Sequence, residues 1–211
     1  LLSLIIVVLV SISAISTSLV VNYAEDFGGD AKEYDSPNFK DGSFENIEET
    51  SMSNPDASTW DTLGQYMQSD DCRFPTEVLP SVEFQLKDLE NQEFSVSWFG
   101  HSTVLIHTNN FTFITDPVFS KGGAGPLSIG PTPFPYEDEY AIEDLPEIDY
   151  VFISHDHYDH LDKDTVRELS DSTFFVPLGV DSHLTEWGID EDKIMVFDWY
   201  DELNISEDLF V

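Results

Sequence analysis

Basic residues are scarce in this chain. Only 8 Lys+Arg stand against 42 Asp+Glu, a formal net charge of −34 over 211 residues. Affinity for nucleic acid comes largely from Lys and Arg neutralising phosphates, so DNA and RNA are not expected partners. Anionic lipid surfaces repel such a chain too. The acids are spread along the chain after residue 24 rather than gathered in one tail. That is the pattern of a solvated, salt-adapted surface. Cysteine is almost missing as well. Cys72 stands alone, which excludes an internal disulfide and a cysteine-based zinc site. The first residue is not Met, so the chain is expected to be a fragment or processed product at its N-terminus. What remains suffices for a packed core, with 41% hydrophobic and 13% aromatic residues. The length suits one domain or slightly more.

Residues 1–21 (LLSLIIVVLVSISAISTSLVV) carry no charge. They read as a signal peptide or as a membrane anchor, since about 20 apolar residues cross a bilayer. Either reading exports the remaining chain or ties it to a membrane. Residues 22–80 are rich in Asp, Glu, Ser, Asn and Gly, and read as an acidic linker followed by an irregular N-terminal extension. Its aromatic residues, Phe27, Tyr34, Phe39, Phe44, Trp60 and Tyr66, are expected to pack on the domain. Residues 81–211 read as the domain itself. FSVSWF at 94–99 alternates in period two, and TVLIH (103–107) and FTFIT (111–115) flank a turn at 108–110. A loop with four Pro and four Gly runs over 121–135, and such loops often border sites. Further on, strands are expected at 150–154, 174–176 and 194–197. Helices are expected at 164–169, with Asp162 as N-cap, and at 181–187, closed by Gly188. Strands that first pair locally and then alternate with helices predict an α/β domain with a mixed sheet.

Half of the six histidines fall in residues 155–160 (HDHYDH), directly behind an apolar strand. Residues two apart on an extended loop point the same way. His155 and His157 can therefore grip one cation, and Asp159 and His160 a second one nearby. Imidazole plus carboxylate suits zinc, with manganese or iron as alternatives. Two such cations would hold a bridging hydroxide. His107 and His183 read as surface or packing residues, and His101 lies open between structure and site.

These residues resemble the metallo-β-lactamase superfamily. The resemblance narrows to the branch of N-acyl-phosphatidylethanolamine-hydrolysing phospholipase D through WFGHST (98–103), ITDPVFS (114–120), LPEIDYVFIS (145–154), VPLG (176–179) and DWY (198–200). DGSFEN (41–46) is similar to the branch's N-terminal extension. Order and spacing agree from residue 94 to residue 200. The resemblance implies an αββα sandwich of which this chain holds the first half, a mixed sheet with flanking helices. It implies two zinc ions per complete domain: His155 and His157 on the first, Asp159 and His160 on the second. It places Asp116 behind the ligands as an acceptor of hydrogen bonds and His101 close to the site. Three further ligands that the superfamily uses have no counterpart after His160. The loop at 130–135 also lacks the basic residues often seen there.

The expected function is a metal-dependent hydrolase. The leading form is a phosphodiesterase of phospholipase D type acting on N-acyl-phosphatidylethanolamine-like lipids through a binuclear-metal-bound hydroxide, with Asp159 assisting proton transfer. A lactone or other ester hydrolase is the alternative on the same site. The 211 residues alone are expected to be inactive, as a truncated product would be, and to expose one sheet face. A general acidic cation-binding exported protein would not explain why the motifs occur in family order.

Overall fold

The structure is a computed structural model. It describes residues 24–30, 32–48, 58, 60, 64, 74–83, 85, 89, 92–120, 125, 132–206 and 210–211. The expected signal peptide or anchor at 1–21 lies outside the described residues, as does most of the Gly/Pro loop. Among the described residues no helix is long and apolar enough to cross a membrane. The chain divides into two compact units. One comprises Glu33–Glu83 with Phe134–Glu139, the other Leu1–Lys32, Phe84–Pro133 and Tyr140–Val211.

The smaller unit contains structure that the composition of 22–80 concealed. Strands β1 (Phe39–Lys40) and β2 (Ser43–Phe44) form an antiparallel hairpin. Its turn is Asp41-Gly42, with φ of 53° and 79°. Positive φ at both central residues is what a tight hairpin matching the strand twist requires, and Asp-Gly meets that demand at low cost. Tyr34, Phe39 and Phe44 pack over it with ring centroids 4.8–5.5 Å apart. Trp60 of this unit and Phe27 of the larger one are exposed, and Tyr66 lies outside the described residues.

The larger unit is built on a six-stranded mixed sheet: β3 (Phe94–Trp98), β4 (Val104–Thr108), β5 (Thr112–Thr115), β6 (Tyr150–Phe152), β7 (Thr173–Pro177) and β8 (Ile194–Phe197), side by side in that order. β3, β4 and β5 pair antiparallel, and β5 to β8 run parallel. The turn between β4 and β5 is held by Thr108, whose hydroxyl accepts the N–H of Phe111 at 2.9 Å and that of Asn110 at 3.3 Å. Helix α1 (Lys163–Glu168) joins β6 to β7, and α2 (Val180–Glu186) joins β7 to β8. α2 stops because Gly188, at φ 90°, turns the chain back. The N–H groups of Gly188 and Ile189 then satisfy the carbonyls of Thr185 and Leu184 at 3.1 and 3.0 Å.

Register aligns the core. Leu105, Ile114, Val151 and Phe174 sit opposite one another on four successive strands and are all buried. Val166 of α1 and Val180 and Leu184 of α2 join them in one cluster. Each such side chain contributes about 1.5–3 kcal/mol by leaving water. On the other face Phe113, Tyr150, Phe175 and Phe197 form an aromatic ladder with centroids 5.5–5.8 Å apart. Phe94, Val96 and Trp98 of the edge strand continue that face and are each more than half exposed. The expected mixed sheet with flanking helices is thus present, as the single six-stranded sheet of the larger unit among the described residues.

Candidate metal centre

Parallel strands end together, and ligand sites form in the loops beyond their carboxyl ends. Three such segments meet here. Asp116 follows β5, Ser154 to Asp162 follow β6, and His101 comes from the loop between β3 and β4.

Asp116 is buried and organises the centre. Its backbone sits at φ 38°, in the left-handed region, anchored by Thr103 Oγ1 donating to its carbonyl at 2.8 Å. Its carboxylate accepts the Ser154 N–H on Oδ1 at 2.7 Å, and the Ser154 hydroxyl on Oδ2 at 2.7 Å. His160 Nδ1 lies 2.9 Å from the same Oδ2. A carboxylate only accepts, so Nδ1 of His160 carries the proton and Nε2 presents its lone pair. Ser154 transmits the same constraint to His155. Its only proton goes to Asp116, so its Oγ accepts from His155 Nδ1 at 2.9 Å, which leaves Nε2 of His155 as the lone-pair nitrogen.

The histidines crowd together. Ring centroids are 4.6 Å apart for His155 and His157, 4.0 Å for His155 and His160, and 4.7 Å for His101 and His160. Burial, followed by the nearby His160 and His157, lowers the pKa of His155 below its ordinary 6.5, against the opposing charges of Asp116 and Asp156. A ring held neutral is the form that ligates a cation. Tyr158 shifts up through burial and the charge of Asp156, so its phenol keeps its proton.

One donor set converges on a point. His101 Nε2 lies 3.0 Å from His160 Nε2 and 3.2 Å from Asp159 Oδ2, and the three atoms all fall within 4.8 Å of one another. Zinc binds imidazole nitrogen at about 2.0–2.1 Å, so two ligands subtending 90–110° at the ion stand about 2.9–3.4 Å apart. The observed separations match that spacing, and the chemistry of the donors fits a divalent cation. His101 reaches the point because Gly100 and His101 both adopt positive φ, 102° and 45°. Its carbonyl is fixed by Trp98 Nε1 at 2.9 Å.

The structure therefore gathers Asp159, His160 and His101, with Asp116 behind them and His155 and His157 alongside. His101 supplies a donor atom to the converging set, a closer involvement than its place in the sequence suggested. Ser154 was not singled out, although a hydroxyl at the strand end immediately before the histidines was the available signal. His183 does not belong to the packing core alone: it lines a cavity of about 390 Å³ together with His157 and Asp159. Asp162 occupies the N-cap of α1 but makes no side-chain cap bond. Its carboxylate instead accepts from the Ser120 hydroxyl at 2.7 Å and from Thr165 Oγ1, clamping the loop after Asp116 to α1. His107 bonds Thr112 across the β4–β5 pair at 3.0 Å and takes no part.

Residues 112–210 match the model of the Beta-lactamase superfamily domain. An uncharacterized protein of Mycobacterium tuberculosis is 35% identical over 82% of this chain and 47% of its own length. This chain thus spans about half the length of the mycobacterial relatives it matches. The N-acyl-phosphatidylethanolamine-hydrolyzing phospholipase D 1 of Caenorhabditis elegans is 38% identical over 46% of this chain and 28% of that protein. Among solved structures, CmlA, a diiron beta-hydroxylase from Streptomyces venezuelae, is 25% identical with a TM-score of 0.42, covering 54% of this chain and 22% of that one. The matched stretch holds β5 to β8, Asp116 and the histidines from His155 to His160, though not His101, and over residues 112–210 the protein carries a domain of the Beta-lactamase superfamily.

Proposed function

We propose that the protein is a metal-dependent hydrolase of phosphodiesters, of phospholipase D type, with N-acyl-phosphatidylethanolamine-like lipids as the first substrate class to test. The observation that carries this reading is the convergence of His101 Nε2, Asp159 Oδ2 and His160 Nε2, with the imidazole tautomers set by Asp116 and Ser154. The similarity to the nematode phospholipase D supplies the reaction class.

His155 and His157 hold one cation, and Asp159 and His160, joined by His101, hold a second. Zinc fits these nitrogen and oxygen donors, with manganese or iron as alternatives. Bound there, the metal polarises the phosphoryl oxygen and acidifies water. Asp159 would ligate through one carboxylate oxygen and take up on the other the proton released by the attacking water. Asp116 and Ser154 keep His160 and His155 in the ligating tautomer. Residues 1–21, as signal peptide or membrane anchor, export the remaining chain or tie it to a membrane, where lipid substrates are found, and nucleic acid is no partner of so acidic a chain.

The test is hydrolysis by the full-length protein, the 211 residues alone being expected to be inactive, after stripping with EDTA and reloading with zinc, manganese or iron. N-acyl-phosphatidylethanolamine in mixed micelles, bis(4-nitrophenyl) phosphate and an acyl homoserine lactone serve as substrates. Metal-dependent phosphodiester cleavage that His157→Ala abolishes is expected. Turnover of the lactone with every phosphodiester left intact would replace this reading by lactone hydrolysis.

A further inference from the structure

The cavity beside the histidine cluster has a chemistry of its own. His157 and Asp159 form its wall toward the cluster, and Asp156, Tyr158, His183 and Trp187 form much of the rest. Among the described residues no lysine or arginine lines it, so the ionised side chains of its wall are the carboxylates of Asp156 and Asp159. Asp156 has no ion pair with Lys or Arg among the described residues. His183 Nε2 stands 3.9 Å from its Oδ2, beyond hydrogen-bond reach. Asp156 and His183 lie outside the converging donor set of Asp159, so this wall does not complete a cage for a small metal ion.

The wall is also firmly built. Trp187 is buried, its carbonyl accepts from Arg167 Nε at 3.0 Å, and its ring stacks on His183 at 5.9 Å. His183 is pressed from behind by Gly28, where a Cβ would lie 1.9 Å from its Nδ1. That Nδ1 is buried and finds no hydrogen-bond partner among the described residues, so no hydrogen bond holds the ring from that side. A carboxylate whose nearest basic group is an imidazole 3.9 Å away, set among aromatic faces in a concave site, is the arrangement that attracts an organic ammonium ion.

We propose that this cavity binds an organic ammonium group, with Asp156 as counter-ion and Tyr158 and Trp187 as aromatic walls. The substrate class that follows rests on the phosphodiester reading but departs from the N-acylated lipids named there: an ester whose leaving alcohol carries a cationic nitrogen, as a choline or ethanolamine head does. N-acylation removes that charge, so free and N-acylated head groups become a discriminating substrate pair.

The test is binding of choline, and of its neutral isostere 3,3-dimethyl-1-butanol, by ligand-observed NMR. Ionic strength is matched with NaCl, with and without zinc. The control matters because a protein of net charge −34 attracts any cation weakly, and salt screens that attraction. Choline is expected to bind about tenfold more tightly than the isostere, by about 1.4 kcal/mol. Asp156→Asn should remove that advantage in both metal states, while Asp192→Asn, an exposed acid elsewhere, leaves it intact. Equal affinity for choline and the isostere would overturn the proposal. So would an equal effect of the two substitutions, or an Asp156→Asn effect confined to the zinc-loaded protein. Binding is read without turnover, so failure of the hydrolase reading and failure of the ammonium site are separate outcomes.

Discussion

Asp116→Asn is the substitution that isolates the orienting role of this carboxylate. Asparagine has the same shape and tolerates the left-handed backbone found at Asp116, φ 38°, so the loop keeps its path. Its carbonyl oxygen can still accept the Ser154 N–H now made to Oδ1 at 2.7 Å. Its amide group, however, stands where Oδ2 accepts from the Ser154 hydroxyl and from His160 Nδ1 at 2.7 and 2.9 Å. An amide there donates, so His160 must hold a lone pair on Nδ1 and carry its proton on Nε2. The nitrogen aimed at His101 and Asp159 then has nothing to give a cation. Partners behind the ligands are typically worth about 10–100-fold in metal affinity. That corresponds to about 1.4–2.7 kcal/mol. Competition titration of zinc against a chromophoric chelator reads the loss directly, and far-UV circular dichroism confirms that the fold survives. An unchanged zinc affinity in a folded Asp116→Asn protein would refute the argument that Asp116 sets the tautomer of His160.

His101→Asn removes the imidazole but keeps a residue at home at φ 45°. It should weaken zinc binding in the same titration while shifting the thermal midpoint little; unchanged zinc affinity would remove His101 from the donor set. Gly28→Ala puts a Cβ 1.9 Å from His183 Nδ1 at a backbone φ of +81°. The left-handed backbone alone costs about 1–2 kcal/mol and the overlap adds to it, so a clear fall in the unfolding midpoint is expected. Because burial and the neighbouring His160 and His157 depress the pKa of His155, the unfolded chain takes up that proton at a higher pH than the folded one. Its stabilising contribution is complete above the ordinary histidine range and is lost as pH falls through 6.5 toward the folded value. Urea midpoints of metal-free protein between pH 7.5 and 5.0 should therefore drop less steeply for His155→Asn than for the parent.

Local pattern carried most of the sheet. The alternation of FSVSWF, the turn at Thr108 and the glycine after Trp187 act through neighbours in sequence, and each appears where the pattern placed it. The Asp41-Gly42 hairpin was equally local, but it is only two residues deep on each side and sits in acidic, polar surroundings that hid its signal. The metal centre was legible only in part. His155, His157, Asp159 and His160 lie in one short loop, whereas His101 meets His160 across 59 positions. That meeting depends on the register of β3 on β4, of β4 on β5, and of β5 on β6. Nothing in the local sequence encodes such a sum of registers. His183 was read as packing for the same reason. Only the placement of α2 against β7 and β8 brings its ring to the cavity wall.

The proposed chemistry requires a cation held by these histidines. X-ray absorption at the zinc edge, recorded on protein reconstituted with zinc, tests that most directly. The expected spectrum shows nitrogen and oxygen ligands at about 2.0–2.1 Å with outer-shell scattering from imidazole rings. That scattering should weaken in His160→Ala and in His101→Asn. Zinc that fails to bind in stoichiometric amount, or a spectrum without imidazole scattering, would contradict the metal centre and with it the proposed hydrolase.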